Sequence, residues 1–244
     1  VKPPYHAFIC MQGHTTGMHM SIAVDWRDET KSSPQIRDRD FAIGCMKRGI
    51  PAVCLEQRYM GEHSTEPEHQ PACYEPAMRA LMRGSTALGE RVFDVDRTID
   101  WMASRGDFDM TQIGIMGNSG GGTTSMFAGA VLPRLTHVMP SCSFSSFADS
   151  ICAMHHCSCN YVPHLLEYGE SADVVGLTAP RPLVIVNGIH DPIFPLSAAN
   201  EQFGRLRAIY AASGAPENCV HVLGDGEHRF YAEPAWNAML KFWK

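Results

Sequence analysis

The chain has 244 residues, 45% of them apolar and 19% charged, with a formal net charge of −6 at pH 7. That length suits one α/β domain able to bury a two-sided core. The acidic balance, with no run or stripe of Lys/Arg, argues against nucleic acid or an anionic membrane surface as a partner. No apolar run approaches the ~18 residues needed to span a bilayer.

From the N-terminus, Val1-Lys2-Pro3-Pro4 leads in without a charged segment followed by an apolar one, so no signal peptide is expected. His6 to Met11 reads as a buried strand ending at Gln12-Gly13, and Gln35 to Lys47 as a helix stopped by Gly49. Ile50 to Leu55 is the next strand. Glu75 to about Ser104 carries helical periodicity, broken near Gly84 or Gly89, with Val92, Val95, Ile99 and Met102 on one face. Gln112 to Met116 is a short strand running into Gly117-Asn118-Ser119-Gly120-Gly121-Gly122, and Thr123 to Leu132 is helical. His137 to Met139, Pro182 to Asn187 and Cys219 to Leu223 read as strands. Leu196 to Ser213 and the stretch from Pro234 onward read as helices. This alternation predicts a mostly parallel sheet with helices on both faces, in a single domain over 1–244. The stretch from Ser143 to Ala179, rich in Ser, Cys, His and aromatic residues, breaks the alternation. It reads as a cap inserted near an active site, with a plain crossover as the alternative.

Gly117-Asn118-Ser119-Gly120-Gly121 fits G-x-S-x-G between a strand and a helix. A serine held on such a turn exposes its hydroxyl, and small residues two before and two after leave room for the chain to reverse. A bare βα turn or a phosphate loop would be the plain alternatives. However, no Lys follows Gly122, and the G-x-G-x-x-G spacing does not match. A serine on a strand-to-helix turn of this kind is expected to find its partners later in the chain, in the order Ser, Asp/Glu, His. Asp191 lies in Asn187-Gly188-Ile189-His190-Asp191-Pro192, just past a buried strand, and His228 lies in Gly224-Asp225-Gly226-Glu227-His228, past the last strand. All three candidates fall outside strand carboxyl ends, where such sheets place their sites. Alone, Asp191 would read as a turn residue, and one histidine among twelve carries little weight. Jointly they predict a triad of Ser119 as nucleophile, His228 as base and Asp191 as orienting acid. Asp225, Glu227 and Asp173 are the competing acids. The expected oxyanion donors are the backbone N–H of Gly120 and of His14, with Thr15 the alternative to His14. The His14 side chain could instead serve a pocket or a metal.

Gln12-Gly13-His14, the segment Glu56-Gln57-Arg58-Tyr59-Met60-Gly61-Glu62, the Ser119 elbow, Asn187 to Asp191 and Gly226-Glu227-His228 together resemble the α/β-hydrolase superfamily. They are most similar to its dienelactone-hydrolase-like and acetyl-xylan-esterase-like carboxylesterases. The resemblance implies hydrolysis of short acyl esters, acetyl above all, on a small molecule or oligosaccharide, with no cofactor. Dienelactone hydrolases use a cysteine nucleophile, whereas position 119 is Ser, which implies ordinary ester hydrolysis. Against that resemblance, the chain enters directly at the strand bearing the oxyanion loop, as expected of a trimmed or naturally minimal version without the one or two leading antiparallel strands common in the superfamily. Arg58 and Tyr59, in a turn similar to one of the acetyl esterases, are expected near substrate, with Arg58 bracing loops or forming a plain salt bridge. His155 and Tyr161 are candidate substrate contacts from the cap.

His155-His156-Cys157-Ser158-Cys159 lacks the C-x₂₋₄-C spacing of a structural zinc site and shows no second half, so no metal is expected. The nine scattered cysteines read as mostly reduced thiols in a cytoplasmic protein, or a secreted or periplasmic one if a leading segment is removed. Homo-oligomerisation is left open. Two other functions compete with the esterase. One is a prolyl-oligopeptidase-like peptidase, disfavoured because no propeller domain precedes the first strand. The other is a silent binding module, disfavoured by an intact triad.

Overall fold

The computed structural model describes residues 2–34 and 37–243. In chain order it runs through β1 (Tyr5–Met11), a small antiparallel hairpin of β2 (Val24–Asp25) and β3 (Asp28–Ser32), α1 (Phe41–Met46) and β4 (Ala52–Leu55). Then come α2 (Tyr74–Met82), α3 (Ala87–Arg105), β5 (Phe108–Asn118), α4 (Gly120–Val131) and β6 (His137–Ser141). The rest comprises α5 (Leu165–Tyr168), α6 (Ser171–Gly176), β7 (Leu183–Gly188), α7 (Leu196–Ala212), β8 (Cys219–Gly224) and α8 (Ala232–Met239).

Six parallel strands form the central sheet in the order β4-β1-β5-β6-β7-β8. Side chains alternate across it, as the period-2 geometry of a strand requires. Ala7, Ile9 and Met11 of β1, with Leu183 and Ile185 of β7, enter one core with Val95, Ile99 and Met102 of α3, Met126 of α4, Val175 of α6 and Leu206 of α7. Phe8 and Cys10, with Val184 and Val186, enter the other core beneath Phe41 of α1 and Trp236 of α8. Both faces are covered, which explains why β7 reads as one continuous apolar run.

The break expected near Gly84 or Gly89 occurs at the former. Gly84, at φ 72°, follows the end of α2, and Thr86 caps α3 by accepting from the Gly89 N–H at 2.9 Å. The helix expected over Gln35 to Lys47 is shorter, Phe41–Met46; Gln35 and Ile36 lie outside the described residues. Arg37 and Asp38 adopt left-handed φ of 64° and 55°, which a helix cannot hold, and Asp38 accepts from Arg229 and from the Ala232 N–H instead. The β2–β3 hairpin has no counterpart in the sequence reading. Its longer strand, Asp-Glu-Thr-Lys-Ser, is almost wholly exposed and so lacks apolar alternation. Within the stretch from Ser143 to Ala179, Phe144 and, on α6, Ala172 and Val175 belong to the main core, so α6 packs as a crossover helix, while Phe147 and Ile151 form a separate cluster with Phe194.

Candidate active site

After β1 the chain goes to one side of the sheet, to β4, and then returns to the other side as β5. The strand order thus reverses between β1 and β5, and the crevice at their carboxyl ends is where open α/β sheets bind ligands. Two loops meet there. One is Gln12-Gly13-His14, leaving β1; the other is the turn from β5 into α4.

Ser119 occupies that turn with φ 57° and ψ −124°, a strained conformation for a side-chain-bearing residue. It is possible only because the neighbouring glycines let backbones approach. A Cβ on Gly121 would stand 2.1 Å from the Met11 carbonyl oxygen, and one on Gly117 would stand 2.5 Å from the Gly121 carbonyl group. The Ser119 N–H donates to the Ser141 carbonyl at the end of β6 (2.9 Å), which fixes the turn from the other side. Among the described residues the Ser119 hydroxyl has no hydrogen-bond partner, so it can turn toward an incoming base. Its partly exposed side chain borders a cavity of about 300 Å³.

His228 borders the same cavity. Its Nδ1 donates to Asp191 Oδ2 at 2.8 Å, leaving Nε2 as the acceptor. Asp191 sits just past β7 with its carboxylate fully buried. Its Oδ1 accepts from the N–H groups of Ile193 (3.0 Å) and Phe194 (3.1 Å). Burial pushes this carboxyl up, but the His228 contact and the two backbone donors outweigh it and hold the group below the ordinary aspartate range. The His228 loop is pinned to the acid's turn by Ile189 N–H to the Gly224 carbonyl (3.0 Å) and His190 N–H to the Gly226 carbonyl (2.9 Å). The Phe194 ring stacks on the His228 imidazole at 5.8 Å between centroids.

The Gly13 loop packs directly on the elbow. A Cβ on Gly13 would lie 3.0 Å from Ser119 Cβ, and one on Gly120 would meet the His14 imidazole at 2.8 Å. Among the described residues neither the His14 nor the Gly120 N–H donates to any group. The Thr15 N–H, by contrast, is taken by the Gly13 carbonyl at 2.9 Å.

His155 borders the cavity, but Arg58, Tyr59 and Tyr161 do not. Arg58 forks onto the Asp94 carboxylate through Nε (2.5 Å) and Nη2 (2.7 Å), and the Tyr59 hydroxyl donates to Glu90. Their partners lie on α3, so this turn braces the fold beside the site. The Tyr161 hydroxyl donates to the Ile151 carbonyl (3.0 Å). Asp173 caps α6 and pairs with Arg205 at 2.8 Å, away from His228. The cavity also takes in Arg39, His156, Asn160, Ile193 and Phe194, none of which the sequence singles out as site residues. Ile193 and Phe194 directly follow the acid's turn, which was a usable signal. Arg39 was hidden inside the over-long helix. A larger cleft of about 550 Å³ lies between Thr65 and Arg79, but its lining includes no histidine to activate a nucleophile.

No family model matches the chain. A curated protein of Bacillus subtilis strain 168, "Putative hydrolase YtaP", is 28% identical over 153 residues, 62% of this chain and 51% of the relative, so the chain spans about half the length of that protein. Among solved structures, a family 15 carbohydrate esterase, a glucuronoyl esterase from Caldicellulosiruptor kristjansonii, superposes with a TM-score of 0.68 at 18% identity, covering 99% of this chain and 68% of its own. A "putative acetyl xylan esterase" from Bacteroides fragilis NCTC 9343 gives 0.74 at 16% identity, covering 92% and 60%. The chain has the α/β-hydrolase fold.

Proposed function

We propose that this chain is a serine carboxylic ester hydrolase acting on short acyl esters, acetyl esters first, carried by a small molecule or a carbohydrate. One observation carries the reading. An unpartnered serine hydroxyl on a strained elbow shares a small cavity with a histidine whose far nitrogen is held by a buried carboxylate.

Ser119 Oγ attacks the acyl carbonyl carbon as His228 Nε2 takes its proton. The carbonyl oxygen becomes an oxyanion and receives the Gly120 and His14 N–H groups, both left free by the fold. Gly120 is the first residue of α4, so its N–H also carries the positive end of the helix dipole. The tetrahedral intermediate collapses by breaking the bond to the alkoxy oxygen, and His228 returns the proton to that leaving alcohol. Water, activated by the same nitrogen, then frees the acid from Ser119. Throughout, Asp191 stays ionised and keeps the proton on Nδ1.

A cavity of about 300 Å³ is at the small end for ligand sites and suits a short acyl group better than a long chain. The carbohydrate part of the proposal draws on the names of the structural neighbours. Within the site it is supported by Arg39, a half-buried cation in the cavity wall whose guanidinium suits a sugar or ester oxygen.

The test is kcat/KM for p-nitrophenyl esters from about two to twelve carbons, with fluorophosphonate labelling of the parent and of Ser119→Ala. A channel would reward each buried CH₂ by about 0.8 kcal/mol, whereas a closed cavity should favour the shortest esters. Labelling should disappear in Ser119→Ala, with kcat lower by about 10⁶. Residual activity within tenfold of the parent would remove Ser119 from the chemistry. A maximum at eight carbons or more would replace the short-acyl reading with a lipase-like one.

A further inference from the structure

The half-site missing from the sequence around Cys157 and Cys159 is supplied by residues far away in the chain. His14 Nε2, on the loop after β1, lies 3.2 Å from Cys159 Sγ, and Cys159 Sγ lies 3.3 Å from Cys157 Sγ. Cys73, at the start of α2, completes the group, and all four ligand atoms lie within 4.8 Å of one another. A tetrahedral zinc ion with Zn–S near 2.3 Å and Zn–N near 2.0–2.1 Å requires S···S edges of about 3.8 Å and N···S edges of about 3.6 Å. The contacts at 3.2 and 3.3 Å are a few tenths of an ångström shorter than these edges and all the others lie within 4.8 Å, so the four atoms are gathered at about zinc-ligand spacing.

Burial and charge agree with the geometry. Cys73 and Cys159 are 3% and 1% exposed, and Met60, Ala77 and Ala87 pack around them. Against this cluster lies Arg91, itself only 2% exposed, with Nη2 3.3 Å from Cys73 Sγ. Among the described residues no carboxylate pairs with Arg91; its other hydrogen bonds go to the Arg58 carbonyl. A buried guanidinium needs a counter-charge. Three neutral thiols and an imidazole supply none. Three thiolates, a neutral histidine and a divalent cation sum to −1, which Arg91 balances.

We propose that His14, Cys73, Cys157 and Cys159 form a Cys₃His site for one zinc(II) ion. With four protein ligands the coordination sphere is closed, so the ion holds structure and does not bind substrate. What it holds is specific. It joins three segments that share no strand pairing: the loop that carries His14 beside the Ser119 elbow, the start of α2, and the segment 157–159, whose Cys157 lines the active-site cavity. Four deprotonated ligands gathered at one point also give a folding contribution that the apoprotein lacks.

The experiment uses the whole chain expressed with added zinc and purified without chelator. Elemental analysis should find about one zinc per chain, and exchange with cobalt(II) should give the thiolate-to-metal charge-transfer absorption and visible bands of a tetrahedral sulfur-rich site. Cys73→Ser and Cys159→Ser should hold less than about a tenth as much metal. Cys152→Ser, which removes an exposed thiol outside the cluster, should keep it all. Removing the ion with a strong chelator should lower the unfolding temperature of the parent, and zinc should restore it. If the ligand variants fail to fold, the parent's metal content and cobalt spectrum decide alone. Parent protein without stoichiometric metal overturns the site, whether denatured thiol titration returns all nine cysteines as ordinary thiols or shows two locked in a disulfide. None of these readouts involves ester hydrolysis, so they stand or fall apart from the esterase reading.

Discussion

Replacing Asp191 by Asn changes one atom and should disable the base through its tautomer. In the parent, Oδ1 accepts two backbone N–H groups, from Ile193 and Phe194, while Oδ2 accepts from His228 Nδ1. A carboxamide has a single oxygen. If its NH₂ faced the two backbone donors, both would be buried without acceptors, at about 1–3 kcal/mol each. The oxygen therefore stays on Ile193 and Phe194, and the NH₂ turns to His228. There it can only donate to Nδ1, which moves the ring proton to Nε2. The nitrogen that would take the Ser119 proton in the proposed mechanism then already carries one and cannot accept another. The same inversion in a Ser-His-Asp protease costs about 10⁴ in kcat, equivalent to roughly 5.5 kcal/mol of barrier at 1.36 kcal/mol per decade. Steady-state turnover of p-nitrophenyl acetate should fall by that order with KM little changed and the circular dichroism spectrum intact. A loss below tenfold would refute the tautomer argument. So would a mild Asp191→Asn beside a crippling Asp225→Asn, which would name a different acid.

Gly121→Ala should cost at least the ~1–3 kcal/mol of an overpacked core, because its Cβ meets the Met11 and Gln12 carbonyl oxygens at 2.1 and 2.6 Å, while Gly204→Ala on α7, with nothing within 4 Å, should gain about 0.5–1 kcal/mol; equal urea midpoints for the two variants would contradict this. Burial holds the His221 imidazole near pKa 4 against 6.5, and the native state therefore binds this proton less tightly than the unfolded chain. Its contribution is complete above about pH 6.5 and is lost as pH falls toward 4, about 3 kcal/mol in all, so His221→Gln, which can still donate to Asn187 Oδ1, should lose that much less stability between pH 7 and 4 in urea unfolding. Gln57→Leu removes the side chain that donates to the Gln12 carbonyl and accepts from Thr124 Oγ1, and should lower stability by about 2 kcal/mol and reduce kcat more than it raises KM; unchanged kcat would detach this bridge from oxyanion placement.

The sheet was legible because burial on both faces forces continuous apolar runs, and β1 and β7 show them plainly. α3 was legible for the converse reason: Val92, Val95, Ile99 and Met102 repeat at helical spacing because only one face is covered. The β2–β3 hairpin was not, since exposed strands carry no such code. Ser119, His228 and Asp191 could be picked as neighbours because each sits at a strand end and the strand order itself brings those ends together. Cys73 and His14 could not be joined to Cys157 and Cys159 by any local spacing. They meet through the packing of three loops, and no periodicity records which loops will touch.

The Glu56-Gln57-Arg58 run lies outside the cavity lining and ties together the segments around it. Successive side chains leave in different directions. Glu56 accepts from the Met18 N–H (3.0 Å) and the Glu62 N–H (3.4 Å), in a space that stays open because Gly17 and Gly61 lack Cβ atoms; one on either would fall about 2 Å from the carboxylate. Gln57 bridges the Gln12 carbonyl to Thr124 of α4, while Arg58 grips Asp94 of α3. Three consecutive residues thus tie the loop that presents His14 to both helices packed behind the elbow. Under the proposed mechanism this matters, because oxyanion donors must be fixed before charge develops; reorientation during reaction would consume the stabilisation they give. Burial of Glu56 is the cost of that rigidity: desolvation raises its carboxyl above the ordinary glutamate range despite the two N–H donors. The polar side chains here fix the geometry of a loop, a task that apolar packing of the same volume would leave to sliding contacts.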